Sequence, residues 1–453
     1  MAERSEDALS AIEQGHHLAT GGFHGGALAF FKQAAALQPG WPMPYNNLAW
    51  SADALGRPAE AELNYHRALI LNPELEQARI NLAVLLSRTG HGATAAPLWE
   101  GMLAASGQSP TILGEALFAS MRGHELNRAA AFADRLFERE RPVADPARPR
   151  AGRVTLGKLR HDLEQLYHLS SKLDLDPVLD AYRALFERMT LEGLAEVPLA
   201  DCAPEIQRYY GNKLYRYAAQ RIAEGALRDS AYLRSAEQHY IDSEHGIVVV
   251  DDLLTPRALA ELQKFCREST VWNADHYTHE RLGSFFREGF NCPLLIQIAE
   301  ELIGYFPRII GQEHALLQMW GFKYRHDQPF TAPHADFAAV NVNFWITPDE
   351  ANRNPQSGGL VIYDKEAPPD WDFDRYNYRG QEIVEFLIEN QASEARIPYR
   401  CNRAVIFNSD LFHATDVLDF APDYANRRVN VTMLYGERCA AWGHAQRFRG
   451  GKS

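Results

Sequence analysis

Between residue 5 and about residue 140 the apolar positions follow helical spacing, and the pattern as a whole returns every 34 residues. Shifted by that interval, Ala27, Phe31, Ala34 and Pro39 fall on Ala61, Tyr65, Ala68 and Pro73. In the same shift Asn47, Leu48, Ala49 and Gly56 fall on Asn81, Leu82, Ala83 and Gly90. The register continues from Ala61, Tyr65 and Leu69 to Ala95, Trp99 and Leu103, then to Ala129, Ala133 and Phe137. Small residues at fixed places let helices cross closely, a Gly suits the turn, and a Pro stops the second helix. About four helix pairs are expected over residues 5–140, with the outer ones degraded as capping units are.

The pattern then changes twice. Residues 141–150 are rich in Pro and read as a linker. Over 151–240 the apolar residues keep helical spacing, as in Leu156, Leu159, Leu163 and Leu166, and in Val178, Leu179, Tyr182, Leu185 and Phe186. This is expected to be a helical connector packed on the next domain. His161 and His168 lie in it without a ligand partner at fixed spacing, so solvated or core roles are expected. From 241 to 438 short strand patterns dominate. Gly246 to Leu254 is a strand, and helices follow over Ala258 to Glu268 and Pro293 to Phe306. Strands are expected over Ala315 to Tyr324, Phe330 to Phe337, Val340 to Ile346, Gly359 to Tyr363, Arg403 to Phe407, Phe412 to Thr415 and Arg428 to Tyr435. The chain therefore reads as an α+β multidomain protein. An N-terminal α-solenoid and helical connector precede a C-terminal jelly roll with supporting helices.

Composition narrows the function classes. With 46% hydrophobic and 23% charged residues the chain is an ordinary globular sequence, and a net charge of −13 argues against nucleic acid and anionic lipid as partners. The basic tail Arg447 to Lys452 reads as a frayed end. Cys202, Cys266, Cys292, Cys401 and Cys439 are scattered and odd in number, which fits a reducing compartment. The charged N-terminus lacks an apolar run behind it, and no stretch of about 18 apolar residues exists. A cytoplasmic protein with no membrane contact is expected.

The candidate chemistry sits in the strand-rich third. On a strand, His334 and Asp336 would share a face, so an imidazole and a carboxylate converge. His413, after the apolar run Val405 to Phe407, is the candidate third ligand. Two His and one carboxylate form the facial triad of non-heme iron oxygenases, which leaves open positions on the metal. His276, His314 and His326 have no same-face carboxylate two residues away. Arg427 and Arg428 are adjacent, so one points inward. Arg428 shares its face with Asn430 and Thr432, a polar set suited to a carboxylate, and is favoured over Arg427. Asn341, Asn343 and Trp345 alternate on another strand, and two buried Asn need partners. Asn343 is taken as the contact to co-substrate or substrate. The long insert Thr347 to Tyr399, with Trp371, Phe373, Tyr376 and Tyr378, reads either as a substrate lid or as a flap on the connector.

The ordered set His334-x-Asp336, His413 and Arg428, behind the strand-then-helix entry Gly246 to Glu268, resembles the Fe(II)/2-oxoglutarate-dependent dioxygenases, in their prolyl-hydroxylase-like branch. The likeness covers residues 240–438. The repeats over 5–140 resemble tetratricopeptide repeats. The first resemblance implies a double-stranded β-helix in which His334, Asp336 and His413 hold Fe(II). It implies that Arg428 binds the far carboxylate of 2-oxoglutarate, with Tyr324 hydrogen-bonded to that co-substrate and Asn343 and Asn430 beside it. O2 would be consumed, and ascorbate is a further expected cofactor. Hydroxylation of a C–H is the expected outcome; halogenation is disfavoured because Asp336 is present. The repeats imply a protein or peptide partner in their groove, or self-association into a homodimer. A protein or peptide substrate is expected. The alternatives are a small-molecule dioxygenase with the repeats used for assembly, an inactive repeat adaptor, and a cupin-like isomerase or hydrolase on the same triad.

Overall fold

Columns of alanine set the helix spacing in the N-terminal third. The computed structural model describes residues 2–139 and 152–438; the linker at 141–150, Cys439 and the tail from Arg447 lie outside the described residues. The chain divides into one unit ending at Leu136 and a second from Phe137 onward. The first unit is a run of antiparallel helices: α1 (Ala2–Thr20), α2 (His24–Leu37), α3 (Pro42–Ala54), α4 (Pro58–Leu71), α5 (Glu76–Arg88), α6 (Gly92–Ala105), α7 (Pro110–Arg122) and α8 (Leu126–Arg139). Ala27, Ala61, Ala95 and Ala129, one per repeat, are wholly buried. The aromatic column Phe31, Tyr65 and Trp99 is buried beside them. Pro42, Pro58 and Pro110 open their helices, where the fixed φ of Pro is already helical and its missing N–H costs nothing. Gly56 and Gly90 adopt φ +70 and +81 at equivalent turns, a conformation that disfavours a side chain. The unit is a tetratricopeptide-like solenoid.

The second unit starts with β1 (Arg153–Thr155), α9 (Leu156–Leu169), α10 (Asp176–Glu192), β2 (Glu196–Pro198), α11 (Pro204–Tyr209) and α12 (Ala231–Asp242). Leu159, Leu163, Leu166, Val178, Leu179 and Tyr182 form a core of their own. The connector is thus less helical than its spacing predicts. β1 and β2 pair as a ribbon, and residues 210–230 are largely irregular. The reason is the destination of their backbone hydrogen bonds. The amides of Leu214 and Tyr215 donate to Thr270, that of Tyr217 to Ser269, that of Ile222 to Gln297, and those of Ala226 and Leu227 to Glu301. Side chains of neighbouring elements replace the helical ladder. His161 takes a core position: it is fully buried beside Asp162, and burial pushes its pKa well down.

Next come β3 (Ile247–Val250), α13 (Pro256–Glu268), β4 (Leu282–Phe285), α14 (Pro293–Tyr305), β5 (Leu316–Lys323), β6 (Asp327–Gln328), β7 (Ala338–Trp345) and β8 (Leu360–Glu366). The chain ends with α15 (Phe373–Tyr378), α16 (Gly380–Glu389), β9 (Glu394–Ile397), β10 (Ala404–Asn408), β11 (Leu411–Thr415), β12 (Leu418–Asp419) and β13 (Val429–Glu437). The larger antiparallel sheet has the order β3-β10-β7-β13-β5-β4; a smaller one runs β11-β8-β9, with β12-β6 as a separate pair. Trp345, Val405 and Phe407 of the first share one core with Leu360, Ile362 and Leu411 of the second. The two sheets therefore close face to face as a double-stranded β-helix. Among the described residues no helix is long and apolar enough to cross a membrane, and Cys202, Cys266, Cys292 and Cys401 are free thiols.

Two expectations need correction. Phe330 to Phe337 is not a strand but an extended segment with a single bridge, His334 to His413. Pro333 lacks an amide, and the segment's other N–H groups are spent on Thr415, Ser409 and Tyr376 rather than on one ladder. Arg428 and Tyr324 likewise sit just outside β13 and β5, where the Tyr324 amide donates to the Arg428 carbonyl.

Candidate functional site

The bridge between His334 and His413 brings two remote segments together. Each amide donates to the other's carbonyl, at 3.0 and 2.8 Å, and the rings lie 4.5 Å apart between centres. Asp336 completes the group. One ligand atom from each of His334, Asp336 and His413 falls within 4.8 Å of the others. His413 Nε2 is 3.5 Å from Asp336 Oδ2. Both imidazoles turn Nδ1 to a backbone carbonyl, of Ala332 at 3.3 Å and Leu411 at 3.0 Å. A carbonyl only accepts, so Nδ1 carries the proton and Nε2 keeps its lone pair for a metal. The Asn341 amide donates to Asp336 Oδ2 at 2.7 Å and orients the carboxylate.

Electrostatics agree with a deprotonated His334 and Asp336. Burial, together with His413, lowers the His334 pKa to about 4. Burial would raise the Asp336 carboxyl, but His413, His334 and Asn341 outweigh it and hold it below the ordinary value. His334 and Asp336 are available to a cation without first losing protons at neutral pH.

A second feature lies along the inner face of the larger sheet. Arg428 is buried, and its hydrogen bonds go to the Gly358 carbonyl at 2.8 Å and the Asn430 side-chain oxygen at 3.4 Å. The rings of Tyr324, Trp345 and Tyr399 surround its guanidinium carbon at 4.7, 5.6 and 5.8 Å. A buried cation held by neutral groups alone is costly, and the surroundings suit an incoming carboxylate. Arg427 points the other way and pairs with Glu164 at 2.9 Å, so the neighbours part as strand alternation requires. Asn343 and Asn430 both donate to the Thr432 hydroxyl, at 3.0 and 3.2 Å. The side-chain oxygens of Asn341 and Asn343 and the indole nitrogen of Trp345 are buried without a hydrogen-bond partner. These orphaned groups line a polar row that a bound polar molecule would satisfy.

Every site residue expected from the sequence thus falls in one of these two adjoining features. Tyr324 joins them: its hydroxyl meets Thr415 at 3.3 Å, two residues past His413. Burial would raise this phenol, but Arg281, Arg428 and Thr415 hold it below its ordinary value. The donor set fits an iron ion, and the cation with its polar row fits a dicarboxylate beside it.

No family model matches this chain, and no curated protein does either. Solved structures similar to it include the following three. The tetratricopeptide protein YrrB, described as having an unusual peptide-binding site, is 19% identical, with a TM-score of 0.27 over 32% of this chain and 74% of its own. The non-heme alpha ketoglutarate dependent epimerase SnoN from nogalamycin biosynthesis is 14% identical, with a TM-score of 0.33 over 50% of this chain and 90% of its own. HygX from Streptomyces hygroscopicus, with nickel and 2-oxoglutarate bound, is 12% identical, with a TM-score of 0.32 over 44% of this chain and 86% of its own.

Some participants are not legible in the sequence. Asn341 stands out there only as one of two alternating Asn; its bond to Asp336 depends on the fold. The insert is hydrogen-bonded to the ligand segment itself. Ala335, between two ligands, donates from its amide to the Tyr376 carbonyl at 3.0 Å and accepts from the Asn377 amide at 2.8 Å. Phe373 packs on Phe337 at 6.1 Å, and Tyr378 is largely exposed beside it. The Arg281 guanidinium carbon lies 5.8 Å from the Tyr324 ring, and no motif in the sequence marks it.

Proposed function

We propose that this chain is an Fe(II)- and 2-oxoglutarate-dependent oxygenase that hydroxylates a C–H of a protein or peptide recruited in part by its repeat unit. The observation that carries this reading is the pairing of a His-Asp-His cluster with a buried guanidinium that has only neutral partners. His334, Asp336 and His413 would hold the iron, and Arg428 would receive the far carboxylate of 2-oxoglutarate, as a planar fork suits a carboxylate better than a point charge. The bound iron and co-substrate supply the oxidising power by oxidative decarboxylation of the 2-oxo acid. The protein's part is orientation and water exclusion. The Ala332 and Leu411 carbonyls fix the imidazoles, Asn341 fixes the carboxylate, and Tyr324 and Thr415 offer hydroxyls between the two sites. α15, docked on Ala335, is a candidate lid.

The test is anaerobic addition of Fe(II) and 2-oxoglutarate. A weak visible charge-transfer band, absent in His334→Ala, and succinate formation once O2 is admitted are the expected results. Absence of both the band and succinate in the intact protein rejects the reading. A metal hydrolase or isomerase on the same triad would instead work without 2-oxoglutarate and tolerate Arg428→Gln.

A further inference from the structure

Arg281 is a second guanidinium beside this site, distinct from the candidate metal ligands and from Arg428. Its guanidinium carbon lies 4.6 Å from the ring centres of both Tyr277 and Phe322 and 5.8 Å from that of Tyr324. Its Nε is buried without a hydrogen-bond partner. Tyr324, whose ring also lies 4.7 Å from the Arg428 guanidinium carbon, thus stands against both cations; Arg281 hydrogen-bonds its phenol, and the Arg281 charge also acts on His334 and Arg428.

The position is built. The two residues before it, His279 and Glu280, take φ +58 and +56, a left-handed conformation that side chains disfavour. Other groups hold them there. Glu280 receives Arg160 at 2.5 and 2.8 Å and lies 3.6 Å from Arg325, and the His279 carbonyl accepts from Gln328 at 2.8 Å. The strained turn feeds β4 so that Arg281 projects between two aromatic rings. Glu280 pairs with Arg160 and Arg325.

We infer that Arg281 is a specificity-determining residue that receives a carboxylate of the primary substrate. The inference rests on the reading of the site as an iron- and 2-oxoglutarate-dependent oxygenase. In that reading Arg428 satisfies the far end of the co-substrate and the metal takes its 2-oxo acid end, so Arg281, which shares one hydrogen bond with Tyr324, keeps further N–H donors for another anion. Stacking of the guanidinium on Tyr277 and Phe322 keeps its edge available for a bidentate contact. Two sources share this chemistry: an acidic side chain of a peptide, and a free small organic acid.

The test uses Mn(II) in place of iron, on the full chain saturated with 2-oxoglutarate, with fluoroacetate as the probe. Bound close to Mn(II), fluoroacetate shows a shortened fluorine relaxation time; the neutral fluoroacetamide is the control. The expected result is strong enhancement for fluoroacetate alone, falling about tenfold in Arg281→Gln and retained in part in Arg281→Lys. The affinity for 2-oxoglutarate stays within about twofold in both variants, which also shows that they fold. Displacement of the probe by an acetylated, amidated aspartate marks an acidic side chain as the source, and displacement by glutarate alone marks a small acid. Equal enhancement in the wild type and Arg281→Gln overturns the inference. So does a loss of 2-oxoglutarate affinity in Arg281→Gln, which would make Arg281 a co-substrate ligand. Failure of Mn(II) to bind at all is a different outcome and rejects the oxygenase reading beneath it.

Discussion

The repeat unit and the barrel unit solve the same burial problem by opposite routes. In the solenoid each helix packs on its neighbours in sequence, so the same alanine and aromatic columns recur and stability is nearly a sum of repeats. In the barrel the decisive contacts join residues far apart, as in the bridge from His334 to His413 or the pair Arg427 and Glu164. The solenoid repeats one local solution. The barrel has a unique solution at each strand, and that lets it collect a His, an Asp, a second His and an Arg at one place. A surface built by repetition suits an extended partner, whereas a closed barrel suits chemistry.

That contrast can be broken or sharpened experimentally. The largest effect is expected from His413→Ala, which removes a candidate ligand and should abolish metal-dependent succinate formation while leaving the helical signal of the repeats unchanged. A barrel variant that also melts the repeats would show that the two units do not fold separately. Trp99→Ala is the converse. It should destabilise the solenoid by about 3–5 kcal/mol, seen as an earlier first transition in denaturant, with 2-oxoglutarate binding unaltered. Arg428→Gln should weaken 2-oxoglutarate binding by roughly a hundredfold, in line with a charge-assisted bidentate contact. Arg427→Gln should leave that affinity alone and lower barrel stability only. Asn341→Ala should reduce metal affinity by about tenfold, the usual size of an orienting hydrogen bond to a ligand.

The smallest effect is a pH dependence. Buried His161 stays neutral in the folded barrel well below its ordinary value of 6.5, whereas in the unfolded chain it protonates near that value. The unfolded state therefore binds more protons as the pH falls below 6.5, and the barrel loses stability there. Among the described residues the solenoid buries no histidine. Denaturant midpoints at pH 7 and pH 5 should shift for the barrel transition, and less so in His161→Asn.

The same contrast decides what could be read from the sequence. The repeats were legible because every unit restates the pattern; Ala27, Ala61, Ala95 and Ala129 are expected and found at equivalent buried places. The strands of the barrel were legible from alternation, and so was the inward direction of Arg428, because its polar neighbours Asn430 and Thr432 share its face. The ligand segment was expected as a strand and is an extended loop, since hydrogen-bond partners far along the chain are invisible to local spacing. Arg281 was missed for the same reason. Nothing near it in sequence announces that Tyr277, Phe322 and Tyr324 will gather around it.

One clamp behind the barrel has a practical consequence. Lys323, on the strand end that also presents Tyr324, turns away from the site; its ammonium donates to the Cys266 carbonyl at 2.8 Å and the Tyr424 hydroxyl at 3.1 Å. Beside it Arg427 reaches Glu164, and Lys158 donates to the Trp272 carbonyl at 3.2 Å. The residues that face the candidate co-substrate are thus braced from the rear by α9. A fragment cut at β3, the first strand of the larger sheet, would keep every candidate ligand and lose this brace, with Arg427 stranded. The shortest portion of the chain suited to crystallisation or assay therefore begins at β1, and the helices before β3 belong to the body that carries the candidate site.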